Sequence, residues 1–472
     1  MLSLINSNQM TPPIAPIGLD YVAGAARNAG LEVDILDLCL ADHPDVMLSN
    51  YFSHHQPELV GISFRNVDDC FWPSGQSFLP NLTKWVNTIR ELTDTPIVIG
   101  GIGFSIFAEQ IVEHARADFG IRGDGERAIV ALMNELQGTR QFDRVDGLIW
   151  QEHGKLRANP PSWPGNITLP THRDAVDNIA YFRKGGQGSI ETKRGCNRGC
   201  IYCADSVAKG TYARLRSPAE IADEIEQLLA QGVDVLHLCD AEFNIPMNHA
   251  NAVCEELIRR SLGPRLRWYA YMAVLPFDDE LARNMSRAGC VGINFTGDSA
   301  ADAMLETYRQ PHRRDDLARA VQLCRENKMA IMIDLLLGGP GETAQTITET
   351  IDFMKQIEPD CIGAALGVRV YPHTPFGHLL EAQDALENNP SIRRHYAGPV
   401  DFLKPTFYIA SELGERPAAL VRDLIAGDPR FFEPRDDLSD ASTDHNYNDN
   451  NDLTQAIANG ARGAYWDILR KK

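Results

Sequence analysis

Short apolar runs alternate with helical stretches twice along this chain, and no other feature limits its fold more. From the start to about Leu136, strand patterns at residues 2–5, 33–38, 59–64, 96–99 and 119–121 are separated by helices. The first helix, 16–30, opens on Pro16 and closes on Gly30, the usual punctuation of a helix. Later, Leu82, Trp85, Val86 and Ile89 recur at helical spacing. Five strands alternating with helices predict a parallel, doubly wound, Rossmann-like sheet over residues 1–140. Residues 141–186 break the rhythm. A strand candidate at 145–150 precedes Pro160, Pro161, Pro164 and Pro170, which predicts a linker with a small β element.

The alternation resumes at Gly188, with strand candidates at 189–193, 233–239, 267–272, 291–295, 330–337 and 361–370. Ser217, Pro218 and Glu220 read as a capping-box start, followed by the stripe Ile221, Ile225, Leu228 and Leu229. Six βα units predict a partial (β/α)6 barrel over residues 187–375, with its chemistry at the C-terminal ends of the strands. Residues 376–472 form a looser C-terminal extension. Within it, 436–452 is polar, acidic and Asn-rich and reads as a loop, and 453–472 includes a helix. Tyr447, Tyr465 and Trp466 suggest a tail that caps the barrel mouth and touches substrate; a surface helix sealing the barrel edge is the alternative. The class is α/β throughout.

Charge excludes some partners. Lys and Arg total 45 against 64 Asp and Glu, a net charge of −19, which works against an electrostatic grip on nucleic acid or an anionic membrane. The greasiest run, 330–337, carries Asp334 in its middle, too short and too polar to span a bilayer. The first residues lack a basic stretch followed by an apolar one, so a cytoplasmic chain is expected.

Seven of the ten cysteines are scattered singly and read as small buried hydrophobes. Cys196, Cys200 and Cys203 differ: they fall within eight residues, at spacings of four and three. Three thiolates on one loop can converge on a soft metal centre. Structural zinc takes four protein ligands, and the nearest histidine upstream is His172, in the linker. A [4Fe–4S] cluster also normally takes four cysteines. Three leave one iron open for a substrate or cofactor, and the loop follows the first barrel strand, at the catalytic face.

This CxxxCxxC string, with Tyr202 before its last cysteine, resembles the radical S-adenosylmethionine (SAM) superfamily. The resemblance implies that Cys196, Cys200 and Cys203 hold the cluster, that the open iron chelates SAM, and that Tyr202 lies near the adenine. It extends to Asp240-Ala-Glu242-Phe-Asn244 after the second strand, implying acids near the SAM amino group; a solvated loop acid is the plain alternative for Glu242. Gly297-Asp298-Ser299 ends the fourth strand, where the SAM carboxylate or ribose is held. Gly338-Gly339-Pro-Gly-Glu342-Thr343 resembles the family's G-x-P-G-E-T element, or serves only as a strand–helix turn.

The N-terminal region resembles the cobalamin-binding domain fused to one branch of that superfamily. The residues that carry this are Pro12-Pro13 and Pro16-Ile-Gly18 after strand one, Gly100-Gly101 with Gly103 after strand four, and Gly123-Asp-Gly125-Glu126. The D-x-H-x-x-G string of other cobalamin proteins is absent. The loops after strands one and three contain no histidine, and a guanidinium has no lone pair to give a metal. Base-off cobalamin with Arg65 or Asn66 near its lower face is therefore expected, with Arg65 as an ordinary surface ion-pair residue the alternative. The resemblance implies methylation of an unactivated carbon of a small molecule or a peptide or protein side chain. The methyl would come through methylcobalamin, with a 5′-deoxyadenosyl radical activating the substrate and a low-potential donor such as ferredoxin or flavodoxin supplying electrons. A cobalamin-dependent cyclase or ring-rearranging enzyme, a non-catalytic redox sensor and a tRNA modifier are the other readings; the net charge disfavours the last.

Overall fold

A computed structural model describes residues 1–383, 386–435 and 446–472. Its first sheet has the order β2-β1-β3-β4-β5-β6-β7, with strands β1 (Leu2–Asn6), β2 (Val33–Asp37), β3 (Leu59–Ser63), β4 (Ile97–Gly100), β5 (Phe119–Ile121), β6 (Leu148–Glu152) and β7 (Lys155–Ala158). The first five are parallel and the last two antiparallel. Alternation along β1 explains the double winding: Leu2 and Leu4 pack on one face with Leu19 and Ile129, and Ile5 packs on the other with Val86 and Ile89. The expected linker β element exists but joins this sheet, because Phe119 pairs with Trp150 along the free edge of β5. The strand order reverses at β1, so a crevice opens beyond the carboxyl ends of β1 and β3.

The second sheet has six parallel strands, Gly188–Ile190, Val235–Leu238, Arg267–Ala273, Cys290–Asp298, Ala330–Leu337 and Cys361–Leu366, in chain order. Phe431–Phe432 from the extension adds a short parallel strand at its far edge. Odd positions such as Ile293, Phe295, Ile331 and Ile333 pack into the core outside the sheet; the intervening Asn294, Thr296 and Asp334 therefore face the lumen. The first strand ends earlier than expected. Lys193–Arg194 leaves the sheet to pair antiparallel with Arg214–Leu215, which frees the cysteine loop between them. The helix Pro218–Ala230 begins where the pattern places it, although the Ser217 hydroxyl makes no capping bond.

The tail differs most from expectation. The expected helix within 453–472 is present as Tyr465–Leu469, carrying Tyr465 and Trp466, and a second, Asn451–Ala458, precedes it. Trp466 is buried, packs edge-on against Tyr269 and reaches Gly292. Both lie at the N-terminal ends of their strands, so Trp466 plugs the barrel floor and not its mouth. Asn446 and Asn448 instead bond Asp69 and Gln76, in the loop after β3. Most of the expected acidic loop, 436–445, lies outside the described residues. Among the described residues, no helix is long and apolar enough to cross a membrane.

Candidate active site

The loop between Arg194 and Arg214 carries all three clustered cysteines, each half-buried. Backbone bonds fix its bends: Cys196 N–H donates to Gly210 O, and Cys203 N–H to Cys200 O. Among the described residues no three Cys, His, Asp or Glu side chains close around one metal-sized point. Three thiolates on one loop can bind three irons of a [4Fe–4S] cluster and leave the fourth open. Burial pushes the Cys200 thiol up to about 12, so it ionises only when a metal compensates the charge.

The polar groups above the barrel divide into two sets. Tyr202, on the cysteine loop itself, meets Asp298, and Glu242 lies near Cys196 and Cys200. The Tyr202 hydroxyl donates to Asp298 Oδ2 at 2.6 Å, and burial raises the Asp298 carboxyl to about 6. Gln310, which local sequence did not single out, donates to Asp298 at 2.6 Å and to Cys200 Sγ at 3.3 Å. Glu242 accepts from Thr296 at 2.9 Å, but its Oε2 is buried without a partner. Burial lifts this carboxyl to about 8, although Lys193 and Arg198 oppose the shift. A buried carboxylate oxygen left free among thiols is poised for a positive group.

The other set braces the strand ends. Asp240 accepts from the Thr192 amide at 2.8 Å and from its hydroxyl, tying the first strand to the second. Ser299 bonds Thr350 and the Ala301 amide. Glu342 is fully buried and accepts from Thr346 and Gly338. At Gly339 a Cβ would stand 2.1 Å from the Tyr308 hydroxyl, so only glycine lets Tyr308 bond Leu336 O and stack edge-on against Tyr202.

On the N-terminal side a cleft of about 180 Å³ runs from the carboxyl ends of the strands down between β1, β3 and β4 and the helices Ile17–Asn28 and Gly125–Gln137. Gly100, Gly101, Gly123, Gly125 and Glu126 line it, with Gly61, Leu4 and Val98 deeper. A Cβ on Gly61 would meet Leu4 at 2.7 Å, and one on Gly125 would meet Val22 at 3.1 Å. Glycine thus keeps an apolar slot open, of a kind that fits a flat aromatic base such as the cobalamin nucleotide tail. The lining includes no histidine.

Pro13, Arg65, Asn66 and Gly103 lie outside this lining. Pro13 O packs on Gly185. Gly103 N–H donates to Arg65 O, and a Cβ there would strike that carbonyl at 2.8 Å. Gly101 and Gly103 therefore hold the turn 64–66 in place, with Arg65 Nη1 donating to Asn66 Oδ1. Both Glu126 oxygens take Arg194, at 3.1 and 2.8 Å, and Arg214 pairs with Asp124. These bonds fasten the cleft rim to the base of the cysteine loop.

Two domain families match in the same order. Residues 8–133 match the B12 binding domain and residues 190–354 the radical SAM superfamily. The tryptophan 2-C-methyltransferase of Streptomyces laurentii is 29% identical over 100% of this chain and 96% of its own. The radical SAM methyltransferase TsrM from Kitasatospora setae, solved with tryptophan substrate and the SAM analogue aza-SAM bound, superposes with a TM-score of 0.92 at 30% identity, covering 100% of this chain and 97% of that one. An anaerobic magnesium-protoporphyrin IX monomethyl ester cyclase from Rubrivivax gelatinosus is 25% identical over 85% of this chain and 72% of its own. A cysteine loop, a glycine-kept slot and likeness along the whole length converge: the chain belongs to the cobalamin-dependent radical SAM methyltransferases, whose cofactors are a [4Fe–4S] cluster, SAM and cobalamin.

Proposed function

We propose that this enzyme transfers a methyl group from SAM to a ring carbon of tryptophan or a close indole amino acid. The observation that carries this reading is the full-length match to the tryptophan-bound relative, which includes the tail closing the barrel floor. The lumen composition supports it. His237 packs at 4.9 Å against Tyr271, and burial holds His237 neutral by lowering it to about 4. A neutral, aromatic wall suits an indole better than a phosphorylated or anionic substrate.

Cobalamin, when bound, supplies a cobalt that carries the methyl group between SAM and substrate. In this reading Cys196, Cys200 and Cys203 bind the cluster. Glu242 faces the SAM ammonium and Asp298 its ribose or carboxylate, with Tyr202 and Gln310 holding Asp298 in place. Gly100, Gly101, Gly123 and Gly125 admit the cobalamin tail, and Arg65 and Asn66 stand beneath the corrin. Asp240, Ser299, Gly339 and Glu342 keep the strand ends in register, so that the reacting groups meet in a fixed orientation. Residues 1–140 carry cobalamin and 187–375 the cluster and SAM, and a ferredoxin or flavodoxin supplies electrons in the cytoplasm. Anaerobic incubation of the reconstituted enzyme with SAM and each aromatic amino acid tests the reading. Methylated tryptophan together with S-adenosylhomocysteine is expected; methylation of another amino acid but not tryptophan would refute it.

A further inference from the structure

The barrel lumen holds a half-buried acid that no described cation serves. Asp334 sits on the fifth strand, in register with Thr296, and its side chain faces inward. Its Oδ2 accepts from Asn294 Nδ2 at 2.8 Å, and no other hydrogen bond or ion pair reaches the carboxylate among the described residues. Burial raises it to about 6, and the nearest charge influencing it is another acid, Asp298. A Cβ at residue 363 would stand 2.4 Å from Asp334 Oδ1; Gly363 therefore leaves that oxygen its space.

Asn294 supplies an independent sign of a missing ligand. Its side chain is 2% exposed, and Oδ1 has no hydrogen-bond partner. Donation to Asp334 fixes the amide orientation, because only nitrogen can face the carboxylate. Oδ1 must then point away from Asp334, as a second acceptor beside the first. Leaving such a group unmade costs roughly 1–3 kcal/mol. Two neighbouring acceptors, one charged, beside the Tyr271 hydroxyl, match a primary ammonium and its three N–H groups. Asp334 is level with Thr296, which bonds Glu242, and Asn294 lies two residues earlier on the same strand as Thr296.

We propose that Asp334 and Asn294 form the subsite for the protonated amino group of the substrate, fixing an amino acid in the lumen with its ring toward the cofactors. This deepens, and rests on, the reading of the substrate as an aromatic amino acid. The subsite favours ammonium-bearing ligands over deaminated analogues, which form no bond with the Asp334 carboxylate.

Equilibrium dialysis on the anaerobically reconstituted holoenzyme tests it, with L-tryptophan against indole-3-propionate and each other aromatic amino acid against its deaminated counterpart. Wild type is expected to prefer the ammonium-bearing ligand by about ten- to a hundredfold, the range of one charge-assisted bond. Asp334→Asn, nearly isosteric, should bind indole-3-propionate as wild type does and reduce the preference to within about twofold. Asn294→Ala should reduce it by roughly threefold, with circular dichroism confirming that both variants fold. Retention of the wild-type preference in Asp334→Asn overturns the subsite, as does a wild type that binds none of the ammonium ligands or shows no preference for them. If wild type ignores tryptophan but shows an Asp334-dependent preference for another aromatic amino acid, the subsite stands and the tryptophan reading falls.

Discussion

Replacing Glu224 by Gln should loosen the two halves of the molecule from one another. Glu224 lies on the helix Pro218–Ala230 beside the barrel, and its side chain is fully buried. Its Oε1 accepts from Arg173 at 2.7 Å and from the Tyr21 hydroxyl at 2.8 Å, and its Oε2 accepts from Arg216 at 2.6 Å. Arg173 also bonds Asp20, which shares the first helix of the N-terminal domain with Tyr21. Two guanidiniums and two carboxylates therefore balance in a dry junction. Glu224→Gln leaves Arg173 with Asp20 and takes from Arg216 its carboxylate partner, and unbalancing a buried pair costs roughly 3–5 kcal/mol. At 1.4 kcal/mol per tenfold, that is about two to three and a half powers of ten in the local opening equilibrium. Hydrogen exchange read by mass spectrometry on peptides covering 17–28 and 173–185 measures it directly. Tyr21→Phe, which removes one neutral donor, should cost only roughly 1–2 kcal/mol. Acceleration of less than about tenfold in Glu224→Gln, or acceleration confined to 214–230, would refute the claim that this cluster joins the domains.

Three further outcomes are expected. Cys200→Ala should fold but lose the iron–sulfur absorbance and most bound iron after reconstitution, and undiminished iron content would remove the loop from the cluster. Glu342, raised to about 7 by burial, keeps its proton in the folded chain where the unfolded chain, near 4.5, has released it. Its contribution to stability is thus present at low pH and lost as pH rises toward 7, by up to roughly 3 kcal/mol. Denaturant midpoints at about pH 5 and about pH 8 should show that decline in wild type and a smaller one in Glu342→Gln. Electron paramagnetic resonance of the bound cob(II)alamin should lack superhyperfine splitting from a coordinated nitrogen, since the loops after β1 and β3 carry no histidine; a nitrogen pattern would contradict the placement of Arg65 and Asn66 beneath the corrin.

The strand–helix rhythm was legible because each βα unit writes its periodicity locally, and the cysteine spacing was legible because one loop carries all three thiols. What stayed hidden depends on distant partners. Arg173 and Asp20 are 153 positions apart, and nothing beside either residue announces the other. Gln310 lies in an unremarked turn, yet reaches Cys200 across 110 positions. Asp240 and Glu242 look alike, two positions apart in one loop, but one is consumed by the Thr192 backbone and the other keeps an oxygen free. The β6–β7 hairpin read as a linker because its prolines mark the boundary, while the open edge of β5 that recruits it is invisible in sequence. Trp466 was expected to cap the barrel mouth, and it sits against Tyr269 and Gly292 at the other end of the barrel.

The most direct measurement follows the methyl group. The reconstituted enzyme would be given SAM carrying a deuterated methyl group, together with tryptophan, and cobalamin and product would be analysed by mass spectrometry during the first turnover. The label should appear on cobalamin before it appears on a ring carbon of tryptophan, with S-adenosylhomocysteine formed alongside. Label reaching product without ever residing on cobalamin, or a ring-closed product with no methyl gained, would contradict the account.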